Sequence, residues 1–196
     1  MKARDLTTAE KKELLKSLKG RYKKRNKLLM QIGFLTGFRI SELLSFTVAD
    51  VMRNGAVRNE VTIDAKRTKN KKDRTVKLNN LAQRIIKDYL PELKRHCTRK
   101  GIEFNKSTYL FQSQFSGNRN ISRYMAYLII KSAMEYEPHI STHSLRKSFG
   151  MDVYRLTKND IFATMTALGH SDTKVTQKYL SINEKNLAGI LEKLAI

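Results

Sequence analysis

Two arginines, two histidines, a run of lysines and one tyrosine have the types and spacing to do chemistry on a phosphodiester. Arg39 lies just after Gly37 in Thr36-Gly37-Phe38-Arg39-Ile40-Ser41-Glu42-Leu43-Leu44, at the expected first turn of a helix. A helix N-terminus favours an anion, and a guanidinium beside it can grip two oxygens of one phosphate. Glu42, three residues on, shares the helix face of Arg39 and can orient it. His143 and Arg146 stand three apart in Thr142-His143-Ser144-Leu145-Arg146, off the apolar stripe of Leu145, Phe149, Val153 and Leu156. His170 follows Gly169, whose left-handed preference ends a helix and fixes where the histidine points. Tyr179 comes nine residues later, and Lys66-Arg67-Thr68-Lys69-Asn70-Lys71-Lys72-Asp73-Arg74 reads as a basic hairpin tip able to reach a DNA groove.

Taken singly, each feature has a plainer explanation. Arg39 and Glu42 can be a surface ion pair, and His143-x-x-Arg146 can be surface decoration. His170 can answer a helix dipole, and the lysine run can be a solvated turn. Tyr179, with Val175 and Ile182 at i−4 and i+3, can be half-buried core. Together they supply a nucleophile, guanidinium groups for the non-bridging oxygens and groups that move protons. Those are the parts of a metal-free phosphodiester transesterification.

The elements that must position these residues are mostly helical. Thr7-Thr8-Ala9-Glu10 signals a helix start leading into Leu14, Leu15 and Leu18. Leu28, Ile32 and Leu35 form the stripe of a second helix from about residue 22 to 35, stopped by Gly37, and Ile40, Leu43 and Leu44 mark a short third. Segments 48–51, 60–64 and 74–78 read as strands, with Asn54-Gly55 as a turn and 69–73 as a hairpin tip. Helices are expected again near 80–97, 121–136, 143–157, 159–168, 173–181 and 184–194. The fold class is therefore α+β, mainly helical, with a small three-stranded antiparallel sheet.

Composition narrows the partners. The 196 residues carry 39 Lys+Arg against 18 Asp+Glu, a net charge of +21, and the isoelectric point is about 10.2. A compact domain with that excess attracts polyanions, above all nucleic acid. The single cysteine, Cys97, excludes an internal disulfide and a multi-cysteine zinc site. No apolar run approaches a membrane span and no signal peptide is evident, so a cytoplasmic protein without membrane association is expected.

In order and spacing, Arg39 with Glu42, the lysine hairpin, His143-x-x-Arg146, Gly169-His170 and Tyr179 resemble the tyrosine site-specific recombinases and phage integrases over about residues 8–182. The resemblance implies a DNA strand transferase needing neither metal nor ATP nor any other cofactor. Tyr179 would form a 3′-phosphotyrosyl bond, Arg39 and Arg146 would hold the phosphate, and His170 would hydrogen-bond it. His143 would help deprotonate the phenol, and Lys69 would protonate the leaving 5′-oxygen, with Lys66, Lys71 and Lys72 as competitors. Lys66, Arg67, Lys71, Lys72 and Arg74 would contact DNA. The resemblance further implies double-stranded DNA as partner, a homotetramer on two sites and a monomer without DNA. Residues 1–196 would form a single catalytic domain, with 1–7 as a tail and 183–196 as a helix able to pack on a neighbouring subunit. The chain has no room for the additional N-terminal core-binding domain of full-length integrases. A non-catalytic DNA-binding regulator and a type IB topoisomerase-like nicking-closing enzyme remain as alternatives.

Overall fold

Several helices in this chain begin where side chains satisfy the orphan amides of a first turn. A computed structural model of the protein describes residues 3–68, 71–115 and 117–180. Helix α1 (Thr8–Ser17) opens on a reciprocal cap: Glu10 N–H donates to the Thr7 hydroxyl at 3.3 Å, and Thr7 N–H donates to the Glu10 carboxylate at 2.7 Å. Arg4 joins Glu10 at 2.6 Å and Glu137 at 2.8 Å. Residues 3–7, expected as a tail, are instead a packed strap. Leu6 is fully buried, and its N–H donates to the Ser148 hydroxyl at 2.8 Å. The buried apolar side chain and these polar ties are what hold it down.

Helix α2 (Lys23–Thr36) buries Leu28, Leu29 and Ile32 and stops at Gly37, whose φ is +60°. A side chain there would be strained by the left-handed backbone and would also drive its Cβ into the Phe149 ring. Helix α3 (Ile40–Leu44) follows at once. Residues 48–51, expected as a strand, form a short helix, α4 (Val48–Val51). Asp50 explains the difference. Its carboxylate accepts the Thr47 N–H at 2.7 Å and the Thr47 hydroxyl at 3.0 Å, closing a cap that outweighs the β preference of two valines.

The expected three-stranded sheet is, among the described residues, two separate two-stranded ladders. Strands β1 (Met52–Arg53) and β2 (Ala56–Val57) pair antiparallel across Asn54 and Gly55, both with positive φ, the geometry of a tight hairpin turn. Strands β3 (Glu60–Ile63) and β4 (Arg74–Lys77) pair with Val61 opposite Val76 and Ile63 opposite Arg74. Val61 and Ile63 point into the core while Glu60 and Thr62 face outward. A 3₁₀ turn, Ala65–Arg67, leaves the end of β3. Helix α5 (Asn80–Arg99), capped by Asn79, packs on α2, and α6 (Arg123–Ala133) is capped by Ser122.

The chain divides into two compact units, Met1–Phe149 and Gly150–Ile196, with the boundary inside helix α7 (Thr142–Leu156). In the first unit Leu14, Leu28, Phe38, Phe46, Ile63 and Phe111 are among the most deeply buried core residues. In the second, Asp160 caps α8 (Ile161–Leu168), Gly169 ends it at φ +64°, and α9 (Thr173–Leu180) follows. Gly150 lets Leu168 and Leu180 approach within 3.0 Å of where its Cβ would stand. The expected helix at 184–194 lies outside the described residues. No helix among the described residues is long and apolar enough to cross a membrane.

Gly37→Ala should lower stability by roughly 2–4 kcal/mol, the sum of backbone strain and overpacking, read as a shift of the urea midpoint. An unchanged midpoint would contradict the close approach of Phe149. Acid behaviour gives a second check. The Arg4 guanidinium holds the Glu10 carboxyl down to about 2 from its ordinary 4.5. A depressed carboxyl lends stability that is present above its unfolded value and is lost as pH falls through the folded one. Glu10→Gln should therefore flatten the loss of stability between about pH 4.5 and 2. Parallel acid limbs in the two proteins would remove that role.

Candidate active site

The turn between α2 and α3 gathers three arginines. The Arg39 N–H donates to Glu42 Oε2 at 2.7 Å and its Nη1 to Oε1 at 2.8 Å. Arg74 Nη1, coming from β4, donates to the same Oε2 at 3.0 Å. Arg146, on the first turns of α7, donates to the carbonyl of Gly37 at 2.5 Å. Glu42 is fully buried and Arg146 nearly so, whereas the Arg39 side chain keeps 23% of its surface. One buried carboxylate thus orients two guanidinium groups, and the local charge stays positive, as an oxyanion requires. Arg74 also lies over the Phe38 ring at 5.0 Å. Burial pushes its pKa below the ordinary arginine value, the Glu42 carboxylate opposes that shift, and Arg39 adds to it.

His143 is exposed on the first turn of α7, while Arg146, one turn on, is buried. Lys66, Lys71 and Lys72 are exposed on the β3–β4 connection, and Lys71 has a φ of +50°. Lys69 lies outside the described residues. Arg67 and Arg74, expected among the DNA contacts, are engaged with the protein instead. Arg67 makes a two-pronged ion pair with Asp50 at 2.8 and 2.9 Å, and Arg74 is held by Glu42. The physical reason is that an arginine beside a carboxylate sheltered from water gains more from a fixed ion pair than from open solvent. Burial alone would raise the Asp50 carboxyl, but Arg67 and Thr47 together hold it below the ordinary carboxylate range.

In the second unit the Gly169 stop turns the chain so that His170 and Tyr179, nine residues apart, meet ring to ring. Their centroids are 5.4 Å apart and the planes cross at 84°. His170 Nδ1 sits 2.9 Å from the hydroxyl of Thr176, which is fully buried. That bond fixes the imidazole orientation and leaves Nε2 directed elsewhere. Tyr179 is half-buried on α9.

Sequence reasoning did not single out Thr176, Asp50 or Ser45, nor the inward role of Arg74. A signal for Arg74 did exist: in a strand it is in phase with Val76, on the side of the sheet that faces the core.

The family model described as "Phage integrase family" matches residues 4–186. A tyrosine recombinase XerC from Caldanaerobacter subterraneus is 27% identical over 188 residues, covering 96% of this chain and 50% of the relative. The probable integrase/recombinase YoeC of Bacillus subtilis is 31% identical over 163 residues, covering 82% of this chain and 80% of the relative. Among solved structures, XerH recombinase bound to its difH substrate in a pre-cleavage complex aligns with a TM-score of 0.70 at 22% identity, covering 97% of this chain and 54% of that one. The catalytic domain of bacteriophage HP1 integrase aligns with a TM-score of 0.58 at 19% identity, covering 97% and 95%. These likenesses show the mainly helical fold with its small antiparallel sheet. The chain spans about half the length of the XerC relative.

Replacing Glu42 by Gln removes the charge that two guanidinium groups share while keeping the shape. Breaking a buried pair in this way should cost about 3–5 kcal/mol, measured from denaturant unfolding. A loss below about 1 kcal/mol, the range of exposed ion pairs, would show that Glu42 does not organise the cluster.

Proposed function

The chain belongs to the phage integrase family, and from that premise we propose that it cleaves and rejoins double-stranded DNA through a covalent bond to Tyr179. The Tyr179 oxygen attacks a backbone phosphorus, the bond to the 5′-oxygen breaks, and a 3′-phosphotyrosyl link forms. A 5′-hydroxyl from a second strand later attacks that link and releases the tyrosine. The phosphoester bond energy is conserved in both steps, so the exchange needs neither ATP nor another cofactor.

The observation that carries this reading is the pairing of His170 with Tyr179 at 5.4 Å. It sets the phenol beside an imidazole whose other nitrogen is already committed to Thr176. Arg39 and Arg146, each anchored on the turn at Gly37–Glu42, bind the non-bridging oxygens and stabilise charge as it builds there. His170 hydrogen-bonds the same phosphate. His143, exposed at the start of α7, takes the phenolic proton. Lys69 gives a proton to the leaving oxygen, while Lys66, Lys71 and Lys72 contact the DNA backbone. The whole chain acts as one catalytic domain, monomeric alone and tetrameric on two DNA sites.

A nicked suicide substrate that sheds its 5′-hydroxyl fragment tests the reading. The wild-type protein should accumulate a covalent adduct, and Tyr179→Phe should form none while binding DNA with the same salt dependence. Adduct formation by Tyr179→Phe at the wild-type rate would overturn the assignment of the nucleophile. An adduct accompanied by supercoil relaxation without strand exchange would indicate a nicking-closing enzyme.

A further inference from the structure

Arg67 sits at the root of the lysine-bearing loop, yet its side chain is half-buried, and every guanidinium nitrogen is committed. Nη1 and Nη2 donate to the two Asp50 oxygens at 2.8 and 2.9 Å. Nη2 also donates to the Ser45 carbonyl at 2.7 Å, and Nε and Nη2 to the Ser45 hydroxyl at 3.2 and 3.0 Å. A phosphate could take this guanidinium only by breaking a two-pronged ion pair. Its acceptors are themselves fixed. Asp50 is held by the Thr47 N–H and hydroxyl, and Ser45 closes α3, donating its hydroxyl to the carbonyl of Glu42 at 2.7 Å.

Both limbs of the β3–β4 loop are therefore tied to the same short helix. The outgoing limb is tied by Arg67 to Ser45, which caps the end of α3, and to Asp50, and the returning limb by Arg74 to Glu42 within α3. Arg39, at the other end of α3, shares Glu42 with Arg74. Between the ties the root is cross-braced: Ala65 N–H donates to Asp73 at 2.7 Å, and the Thr68 hydroxyl donates to the Lys72 carbonyl at 2.8 Å.

We infer that Arg67 is a positioning residue for strand cleavage, which pins the root of the lysine loop to α3 so that the loop and Arg39 address one phosphate in a fixed relation. This rests on the function proposed above. Lys66 directly precedes the pin, and the Lys72 carbonyl accepts from Thr68 beside it, so the described root of the loop cannot drift far from α3 while the pin holds. Proton donation to a leaving oxygen is sensitive to such placement, because a displacement of about 1 Å can cost on the order of 100-fold in rate.

The test is single-turnover cleavage of the nicked substrate by the full chain, with DNA affinity and thermal stability measured in parallel. Arg67→Gln should slow cleavage about 10- to 100-fold while leaving affinity and its salt dependence unchanged. Arg67→Lys keeps the charge but lacks the planar fork, so it should stay slow. A second substrate, with sulfur replacing the bridging 5′-oxygen, expels a thiolate that needs no proton. Arg67→Gln should cleave it at nearly the wild-type rate. Asp50→Asn loosens the same tie from its other end and should give the same pattern, which keeps the test open if one variant folds poorly. Weaker binding with a salt slope reduced by about one, restored by Arg67→Lys, would make Arg67 a DNA contact and overturn the inference. Equal slowing on the oxygen and sulfur substrates would also overturn it, leaving Arg67 only structural. Failure of the wild-type protein to form an adduct would be a separate result, against the proposed function itself.

Discussion

A carboxylate with no exposed surface must be paired, and the pairing of Glu42 organises the first unit of this protein. Its two oxygens receive the backbone and side chain of Arg39 from one side and Arg74 from the other. The pairing caps α3, sets the direction of Arg39 and attaches the returning strand of the lysine hairpin to that helix. Arg146 is fixed to the same turn through the carbonyl of Gly37. Removing the carboxylate would leave close guanidinium groups in a partly buried setting, which is why the charge there cannot be treated as surface decoration. The cluster remains net positive, so the arrangement that stabilises the fold is also electrostatically suited to an anion.

The second unit solves a smaller problem, the orientation of one imidazole beside one phenol. Gly169 allows α8 to end abruptly, and the buried Thr176 hydroxyl then fixes the His170 ring. Gly150 removes the side chain that would hold Leu168 and Leu180 apart from α7. In the proposed function, a residue as ordinary as a half-buried tyrosine takes its chemical role from such neighbours, not from its own burial. The same logic separates Arg67 from the lysines around it. All stand in one basic run, but Arg67 has the Asp50 carboxylate and the Ser45 carbonyl within reach, and so it is held against the protein.

Much of this was legible in the amino-acid order. The helix start at Thr7, the stops at Gly37 and Gly169, the helix near 80–97 and the strand at 60–64 follow from local chemistry, and the structure has them, the strand ending at Ile63. Residues 48–51 were misread because two valines suggest a strand, whereas the Asp50 cap to Thr47 decides for a helical turn. The strap at residues 3–7 was missed because its partners, Ser148 and Glu137, are distant in sequence. Pairings such as Arg67 with Asp50 and Arg74 with Glu42 share that cause. Composition marks a run as basic, but only tertiary neighbours decide which of its members face solvent.

The central claim is that Tyr179 becomes covalently joined to DNA. The most direct measurement is to trap the protein on a nicked substrate, digest the adduct and identify by mass spectrometry the peptide that carries the nucleotide. The account predicts one modified peptide, from α9, with the 3′-phosphate on Tyr179. A nucleotide on another residue, or strand cleavage with no protein-linked product, would contradict it.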